Sequence, residues 1–258
     1  MGIYQPQGPH EGRADMHGIT LPSPFSIASG AILLALAAVV PPLIATGTSA
    51  ATSGMACANA DLVYQPQSAF PDTARGRVFY RQQFINMEYA MLCMVNEFRA
   101  QEQRPPLHRV ILLRGTTARG IRGAAADHAR ASAQQRWWGT VAQVPGCRPY
   151  PPDPTRCDPH YDPVSKTDPV QRAKNNNYGS SCPTWSVGEN TYTGWGNDKV
   201  TPRAAFEFWK NSPLHRENML RPEFVQIALG TETGSADPNA PADFYPAITF
   251  VQMLGSCG

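Results

Sequence analysis

The chain has 258 residues, a formal net charge of +2, and 42% hydrophobic against 16% charged residues. This composition supplies a packed core and excludes an intrinsically disordered chain. The small net charge, without any long run of lysine and arginine, excludes nucleic-acid binding through a basic tract. Its 25 prolines and 21 glycines predict long irregular loops.

The first sixty residues predict an export segment. Residues 29–44 carry no charge, and their apolar core, residues 31–40, has the length of the hydrophobic part of a signal peptide. This core is shorter than the roughly 20 apolar residues that span a bilayer. Small residues follow, and we expect cleavage after Ala60, with retention of the segment as a membrane anchor as the alternative. In both cases the segment contacts the membrane during export, and the protein is secreted or extracytoplasmic.

The chain therefore divides into an export segment, residues 1–60, a linker or N-terminal arm, residues 61–82, and one domain, residues 83–258. Cleavage after Ala60 would remove Cys57 and leave an odd number of cysteines, which form disulfides in an oxidising compartment. Cys93, in a helical stretch, is then predicted to be a buried free thiol.

The four remaining cysteines allow three pairings. Cys147 and Cys157 bracket a proline-rich loop and are predicted to pair, so that Cys182 with Cys257 would tie a mid-chain loop to the C-terminus. Pairing of Cys157 with Cys182 is the main alternative, and the sequence leaves the choice open.

Two long helices are predicted in the first half of the domain. Apolar residues at spacings of three and four indicate a helix over residues 82–103, which ends before a proline pair. An alanine-rich stretch, residues 117–137, predicts the second helix. Its small face, formed by Ala126, Ala129 and Ala133, would let another element approach closely.

The second half begins with an irregular stretch, residues 141–181, and loops of this length are usually functional. Two short helices follow, each with a capping residue before a proline: Thr201 before the first and Ser212 before the second. Strands are predicted at residues 225–231 and 247–254. Helices first and strands late favour an α+β layered domain.

Three polar positions stand out as candidate functional residues. His160 lies in CDPHYDP, His215 lies in NSPLHRENML, and Glu189 belongs to VGEN, which is predicted to be a polar turn between apolar flanks. A carboxylate flanked in sequence by histidines suits a divalent metal site or an acid–base pair. His128, on the alanine-rich helix, is predicted to be a structural histidine. The nearby aromatic residues are predicted to form core and cleft wall: Trp185, Tyr192, Trp195 and Trp209.

These motifs together resemble a known family. The helix sequence MLCMVNEFRAQEQRPPLHR, the DHA of the alanine-rich helix, VGEN, and the pattern W-x-NSP-x-HR-x-N-x-L occur in this order. The set resembles the bacterial-type branch of the CAP superfamily, the SCP-like extracellular domains of cysteine-rich secretory, antigen and pathogenesis-related proteins. The resemblance covers roughly residue 83 to the C-terminus. It implies a three-layer α–β–α sandwich.

The resemblance also implies a cleft with a histidine–glutamate constellation. Glu189 matches the family glutamate and is the candidate catalytic residue, His215 matches the histidine of the NSP-x-HR motif, and His160 is the candidate second histidine. With Asn190 these residues form the predicted binding cleft. His160 and His215 are the candidate ligands of Zn²⁺ or another divalent metal. Ser212 lies near the position of a second family glutamate.

Three functions follow as hypotheses. The first is a binding module for a lipid or protein ligand in the cell envelope or outside the cell. The second is a metal-assisted hydrolase, with Glu189 as general base and His160 and His215 on Zn²⁺. The third is a non-catalytic envelope scaffold. Two histidines are fewer than the three protein ligands of a typical catalytic zinc, and no Gly-x-Ser-x-Gly nucleophile motif occurs, which favours binding.

Overall fold

A computed structural model describes residues 57–110, 119–241 and 246–258. Nearly all of the predicted export segment, and the first residues of the predicted alanine-rich helix, lie outside these ranges. The boundary at residue 60 therefore stays a prediction. Among the described residues, no helix has the length and apolar character needed to span a bilayer.

A four-stranded sheet forms the middle layer of the domain. It consists of β1 (His108–Arg109), β4 (Trp185–Trp195), β5 (Gln226–Thr233) and β6 (Ala247–Cys257), in the order β1-β5-β6-β4. β1 runs parallel to β5, whereas β4 and β5 are both antiparallel to β6. Separately, β2 (Pro149–Tyr150) and β3 (Asp153–Cys157) form a small hairpin. The two late strands predicted from the sequence are β5 and β6.

Helices cover both faces of this sheet. They are α1 (Ala74–Gln101), α2 (Gly120–Gln135), α3 (Pro169–Asn175), α4 (Pro202–Asn211) and α5 (Pro213–Leu220). One apolar core joins α1, α4 and α5 to the sheet, and a second core joins α2 and α3 to it. This arrangement confirms the predicted α+β fold as a three-layer α–β–α sandwich with long irregular loops.

α1 is longer than predicted because the chain before it packs as an arm. The helix begins at Ala74 rather than residue 82, and Thr73 caps it by accepting a hydrogen bond from the Gly76 N–H at 3.0 Å. Residues 57–73 run back along α1. Gln65 and Gln83 exchange two hydrogen bonds of 2.9 Å, one in each direction. The predicted linker is therefore an arm followed by the first turns of α1.

Three disulfides connect the described residues: Cys57–Cys93, Cys147–Cys157 and Cys182–Cys257. The second and third confirm the favoured pairing. The prediction of a free Cys93 is wrong, because it assumed a cut that removes Cys57. Ala60 is buried, and its carbonyl accepts a hydrogen bond from the Arg203 N–H at 2.9 Å. This disulfide can persist in a mature chain only if Cys57 is retained.

The VGEN motif lies in the middle of β4, so the predicted polar turn is wrong. Glu189 pairs with Met253 of β6, and Asn190 pairs with Gln252. Both side chains are fully buried. The strand was missed because its polar residues are satisfied by other side chains inside the protein, and polar composition alone then resembles a loop.

The irregular stretch at residues 141–181 also contains more regular structure than predicted. It includes the β2–β3 hairpin and α3. α3 starts at Pro169 and is capped by Asp168, whose carboxylate accepts a hydrogen bond from the Gln171 N–H at 2.8 Å. A helix of seven residues is too short to show apolar periodicity in sequence.

α2 packs closely on the sheet through small residues, as predicted, although the face is shifted. Ala125 and Ala129 are completely buried, whereas Ala126 and Ala133 are only partly buried. Opposite Ala125 lies Gly230 of β5, where any added Cβ would collide with the Ala125 carbonyl group. The absence of a side chain at Gly230 therefore permits the close approach of α2.

Candidate functional site

Glu189 is the centre of a buried charged cluster on the α2 side of the sheet. Its side chain has no exposed surface. Arg172 donates from Nη2 to both carboxylate oxygens, at 2.9 and 2.7 Å. His160 Nδ1 lies 2.9 Å from Oε1, and His128 Nε2 lies 3.6 Å from the same oxygen. The structure therefore brings the predicted pair Glu189 and His160 together and adds two residues.

Arg172 is positioned by α3 and by the loop before it. Besides Glu189, its guanidinium donates hydrogen bonds to the carbonyl oxygens of Thr167, at 2.8 Å, and His160, at 3.0 Å. These bonds fix the loop and the ion pair together. A buried carboxylate requires such a cation or an equivalent set of donors.

The two histidines are held by the loop that follows β3. The His160 N–H donates to Asp158 Oδ1 at 2.9 Å, and Asp158 is itself paired with Arg148. His128 Nε2 lies 2.8 Å from the Pro159 carbonyl oxygen. Because a carbonyl only accepts, the proton of the neutral His128 ring must lie on Nε2.

Burial and charge determine the protonation states of this cluster. Burial would raise the pKa of Glu189, but Arg172 and the two histidines outweigh it and lower that pKa to about 2. Burial, reinforced by Arg172, lowers the pKa of His128 to about 4. At neutral pH the cluster therefore contains an ionised Glu189 paired with Arg172 and a neutral His128.

Asn190 and His215 lie on the other side of β4. Neighbouring residues of a strand point to opposite faces, so Asn190 is directed towards α5 whereas Glu189 is directed towards α2. Asn190 Nδ2 donates to the His215 carbonyl oxygen at 3.1 Å and to Gln252 Oε1 at 2.9 Å. Asn218 Nδ2 donates to Asn190 Oδ1 at 3.0 Å. The amide of Asn190 thus connects the strand with α5.

His215 is completely buried and packs against Phe208, with 5.5 Å between ring centroids. Burial, followed by the charge of His160, lowers the pKa of His215 to about 3. The ring is therefore neutral at physiological pH. The predicted cleft residues thus divide at β4, where Glu189 and Asn190 point to opposite faces, whereas His160 and His215 remain within electrostatic range of each other.

The arrangement does not fit the predicted metal site. Among the described residues, the one group of three potential ligands with mutually close donor atoms is Cys57, Cys93 and Glu97, and its sulfurs form a disulfide. A cation placed beside Glu189 would also meet the positive charge of Arg172. The cluster is built around an internal cation rather than around Zn²⁺.

Sequence reasoning missed Arg172 and assigned His128 only a structural role. Arg172 lies in DPVQR, the segment that precedes VGEN. The available signal was the carboxylate itself, because a glutamate in an apolar strand needs a cationic partner. His128 could have been found only by knowing that α2 covers β4 and β5.

The predicted aromatic group is also divided. Trp209 is fully buried and donates from Nε1 to the Thr191 carbonyl oxygen at 2.9 Å. Tyr192 lies in the same core, and its hydroxyl donates to the Lys199 carbonyl oxygen at 2.9 Å. Trp185 instead packs on Tyr178 in the other core. These residues are mainly core rather than cleft wall.

A small depression lies beside the Glu189 cluster. Its cavity volume is only about 10 Å³, room for roughly one water, and it is lined by Trp138, Tyr150, Arg156, Cys157 and Pro159. Tyr150 is 1% exposed, and its hydroxyl has no hydrogen-bond partner among the described residues. A buried hydroxyl without a partner is uncommon and indicates a position where a water or a ligand group can bind.

Comparison with known families identifies part of the chain. Residues 155–254 match the cysteine-rich secretory protein family, CAP. The matched region contains α3, both β4 and β5, and most of β6. It thus includes His160, Arg172, Glu189 and His215, whereas His128 lies before it.

Solved structures of bacterial proteins are similar to this chain at low identity. An extracellular SCP-domain protein from Bacillus anthracis is 16% identical, with a TM-score of 0.45 over 72% of this chain and 44% of that one. An outer surface protein from Borrelia burgdorferi is 15% identical, with a TM-score of 0.38 over 65% and 90%. A cysteine-rich secretory protein from Staphylococcus aureus is 11% identical, with a TM-score of 0.34 over 66% and 38%.

The chain spans less than half the length of the Bacillus and Staphylococcus proteins. A search of curated proteins found no match.

Proposed function

We propose that this protein is an extracytoplasmic CAP binding module for a lipid or protein ligand, in which the Glu189 cluster stabilises the domain and the depression beside it receives a polar end group of the ligand. The observation that carries the proposal is the enclosure of Glu189. Its carboxylate is completely buried and bonded through both oxygens to Arg172. A group held in this way is available for structure rather than for exchange with a ligand.

The same observation weighs against the hydrolase hypothesis. A general base must reach its proton through a hydrogen bond or one water, and its pKa should lie near the working pH. The pKa of Glu189 is lowered to about 2 by Arg172 and the histidines, against the effect of burial. Glu189 would therefore be a weak base with its lone pairs already occupied.

The depression supports binding because it combines three kinds of contact. Trp138 provides an apolar wall, the Tyr150 hydroxyl provides an unused donor, and Arg156, which is partly exposed, provides a positive charge. With room for roughly one water, the depression can hold only the tip of a ligand, and the rest of the ligand must lie on the surface around it. Arginine and a hydroxyl together favour a phosphate or carboxylate end group.

The Cys147–Cys157 disulfide supports a preformed site. Cys157 lines the depression at the end of β3, and Tyr150 lies on β2 of the same hairpin. A covalent bridge across the hairpin reduces the freedom that ligand binding would otherwise remove. The ligand is thus expected to bind without a large rearrangement.

Nuclear magnetic resonance titration tests the proposal with two probes: a short-chain phosphatidylglycerol below its micelle concentration, and a peptide with a free C-terminal carboxylate. We expect saturable shifts in the β2–β3 hairpin for one probe. They should weaken in Tyr150→Phe and Arg156→Gln and persist in Arg130→Gln, which removes an exposed charge from α2. Identical binding in all four proteins, or no binding of either probe, contradicts the proposal.

Calorimetric titration of Zn²⁺ separates the hydrolase hypothesis. We expect no saturable site. One site that is lost in both Glu189→Gln and His215→Ala would instead support a metal centre, and unchanged behaviour of every variant in both assays would favour the scaffold.

A further inference from the structure

The first half of α1 has an exposed surface that combines apolar and basic residues. Val78 is 60% exposed and Phe79 is 47% exposed. Arg75, Arg77 and Arg81 are exposed around them; Arg77 is paired with Asp72 at 2.8 Å, whereas residues 74–87 contain no acidic residue. Large exposed apolar side chains flanked by mainly basic residues are unusual on a protein surface that only faces water.

Arg75, Val78 and Arg81 lie on one face of the helix, whereas Phe79 lies at its edge and Arg77 outside it, since successive residues turn by about 100°. Val78, Gln82, Ile85 and Tyr89 follow one another at spacings of four, three and four, which places them in one row. Arg81 lies on one side of the row. Arg75 lies on the other side, with its guanidinium 5.3 Å from the centre of the Phe79 ring. The row extends over about 16 Å at 1.5 Å per residue.

The opposite face of α1 is already occupied. Gly76 lies directly against Pro71 of the arm, Gln83 bonds to Gln65, and Met87 is in the core. The arm and core therefore hold the helix in one orientation. The row of Val78, Gln82, Ile85 and Tyr89 points away from them.

We infer that this face of α1, the α1 docking face, binds a membrane surface that contains anionic lipid. Arginine side chains are attracted to the negative headgroups, and apolar side chains enter the boundary below them. An amphipathic helix lying in the interface has this pattern of basic margins around an apolar centre. The docking face is separate from the Trp138–Tyr150 depression.

A lipid surface suits the docking face better than a soluble polyanion because Val78 and Phe79 are exposed among the arginines, although Gln82 adds one polar side chain to the row. The chain before Cys57 also favours a membrane. It contains the uncharged run at residues 29–44, and Cys57 is bonded to Cys93 of α1. The residues between that run and Cys57 can extend over at most about 45 Å. Phe79 lies only about 21 Å along the helix from Cys93. A retained anchor would thus keep the docking face within reach of the bilayer.

Vesicle flotation of the full chain tests this inference. The apolar run binds vesicles of any headgroup, so the measured quantity is the ratio of partition coefficients for two vesicle types. One type contains phosphatidylglycerol and phosphatidylcholine in equal parts, and the other contains phosphatidylcholine alone. The variants are Arg75→Gln with Arg81→Gln, and Val78→Ser with Phe79→Ser. The matched control, Lys166→Gln with Lys174→Gln, removes the same charge from exposed sites on the loop before α3 and on α3 itself.

We expect the ratio to fall about thirtyfold in the arginine variant, from about fivefold for each charge near the surface. It should fall in the serine variant and stay unchanged in the lysine control, and added salt should reduce it in the native protein. Equal loss in the arginine variant and the lysine control would overturn the inference, since binding would then follow net charge. If the serine variant has the same ratio of partition coefficients as the native protein, the inference is also overturned, and a soluble polyanion would be the better candidate ligand for the arginines. Unchanged circular dichroism verifies the fold of each variant.

Discussion

Arg172 holds both carboxylate oxygens of Glu189 through a single nitrogen, at 2.9 and 2.7 Å, in the interior of the protein. The pair joins α3 to β4, and through His160 and His128 it also reaches the loop after β3 and α2. Four segments of the chain therefore meet at one buried negative charge. Removing its partner should be much more harmful than removing the pair.

Replacing Arg172 with Met leaves Glu189 charged, buried and unpaired. We expect the free energy of unfolding to fall by about 3–5 kcal/mol. The double variant Arg172→Met with Glu189→Gln should recover part of this loss, because no net charge then remains to be desolvated. Urea unfolding of the two single variants and the double variant measures the coupling. Strict additivity of the losses would show that the two side chains do not act as a pair.

Acid should destabilise the domain over an unusually wide range. His128 and His215 have pKa values lowered by burial to about 4 and about 3, against 6.5 for the free side chain. As pH falls below 6.5, the unfolded chain takes up protons that the folded chain cannot. Each group then costs up to about 1.4 kcal/mol per pH unit until its folded pKa is reached.

Glu189 extends this range. Its ionised form contributes stability above pH 4.5, and this contribution is lost as pH falls towards about 2. Thermal unfolding between about pH 7 and about pH 3 measures how steeply the stability falls with pH. His128→Gln should flatten it above pH 4, whereas His108→Gln, at an exposed position, should not. If both variants keep the pH dependence of the native protein, His128 is not its source.

Arg99 fastens the end of α1 to the segment after α5. Its buried guanidinium donates hydrogen bonds to the carbonyl oxygens of Pro105, Met219, Arg221 and Phe224, at 2.7, 2.6, 3.1 and 3.3 Å. Lysine has the charge but not the planar set of donors. We expect Arg99→Lys to lower the free energy of unfolding by about 2–4 kcal/mol. The exposed Arg104→Lys should change it by less than about 0.5 kcal/mol, and equal effects of the two changes would contradict this role.

The exported protein should retain Cys57. Non-reducing peptide mapping should find it bonded to Cys93, and N-terminal sequencing should find a start before residue 57. In the chain-entropy estimate, removing this disulfide with Cys57→Ser and Cys93→Ser costs about 4 kcal/mol, more than the about 3 kcal/mol of the shorter loop closed by Cys147–Cys157. A mature start at residue 61 with a free Cys93 would contradict the described arm.

Tyr150→Phe should leave the stability unchanged or raise it slightly, because the hydroxyl has no protein partner to lose. Thermal unfolding without ligand measures this. A loss above about 1 kcal/mol would mean that the hydroxyl makes a structural bond, and the argument for a ligand in the depression would weaken accordingly.

The elements that could be predicted from sequence are those with local signals. Thr201 caps α4 as expected, with its hydroxyl accepting a hydrogen bond from the Ala204 N–H at 3.1 Å. The family resemblance located Glu189 and His160 correctly in contact. Arg172 and His128 could not be derived in this way, because their role depends on which helices cover which strand. Apolar periodicity shows which face of a helix or strand is buried, but it does not show which other element packs against that face.

The side of β4 on which each residue acts was also beyond sequence reasoning. Glu189 and Asn190 are adjacent in the motif, yet they serve different layers because the motif is extended. Read as a turn, the same two residues would share one cleft. The error in local structure thus became an error in the site.

The absence of a side chain at Gly230 affects the Glu189 cluster, although Gly230 does not contact it. Because α2 can sink onto β5 there, His128, one turn further along the helix from Ala125, reaches the depth of Glu189. A methyl group at Gly230 would push α2 away from β5 and would thereby move the His128 imidazole away from the Glu189 carboxylate. The distance between His128 and Glu189 therefore depends on how closely α2 approaches β5, and the absence of a Cβ atom at Gly230 permits that approach.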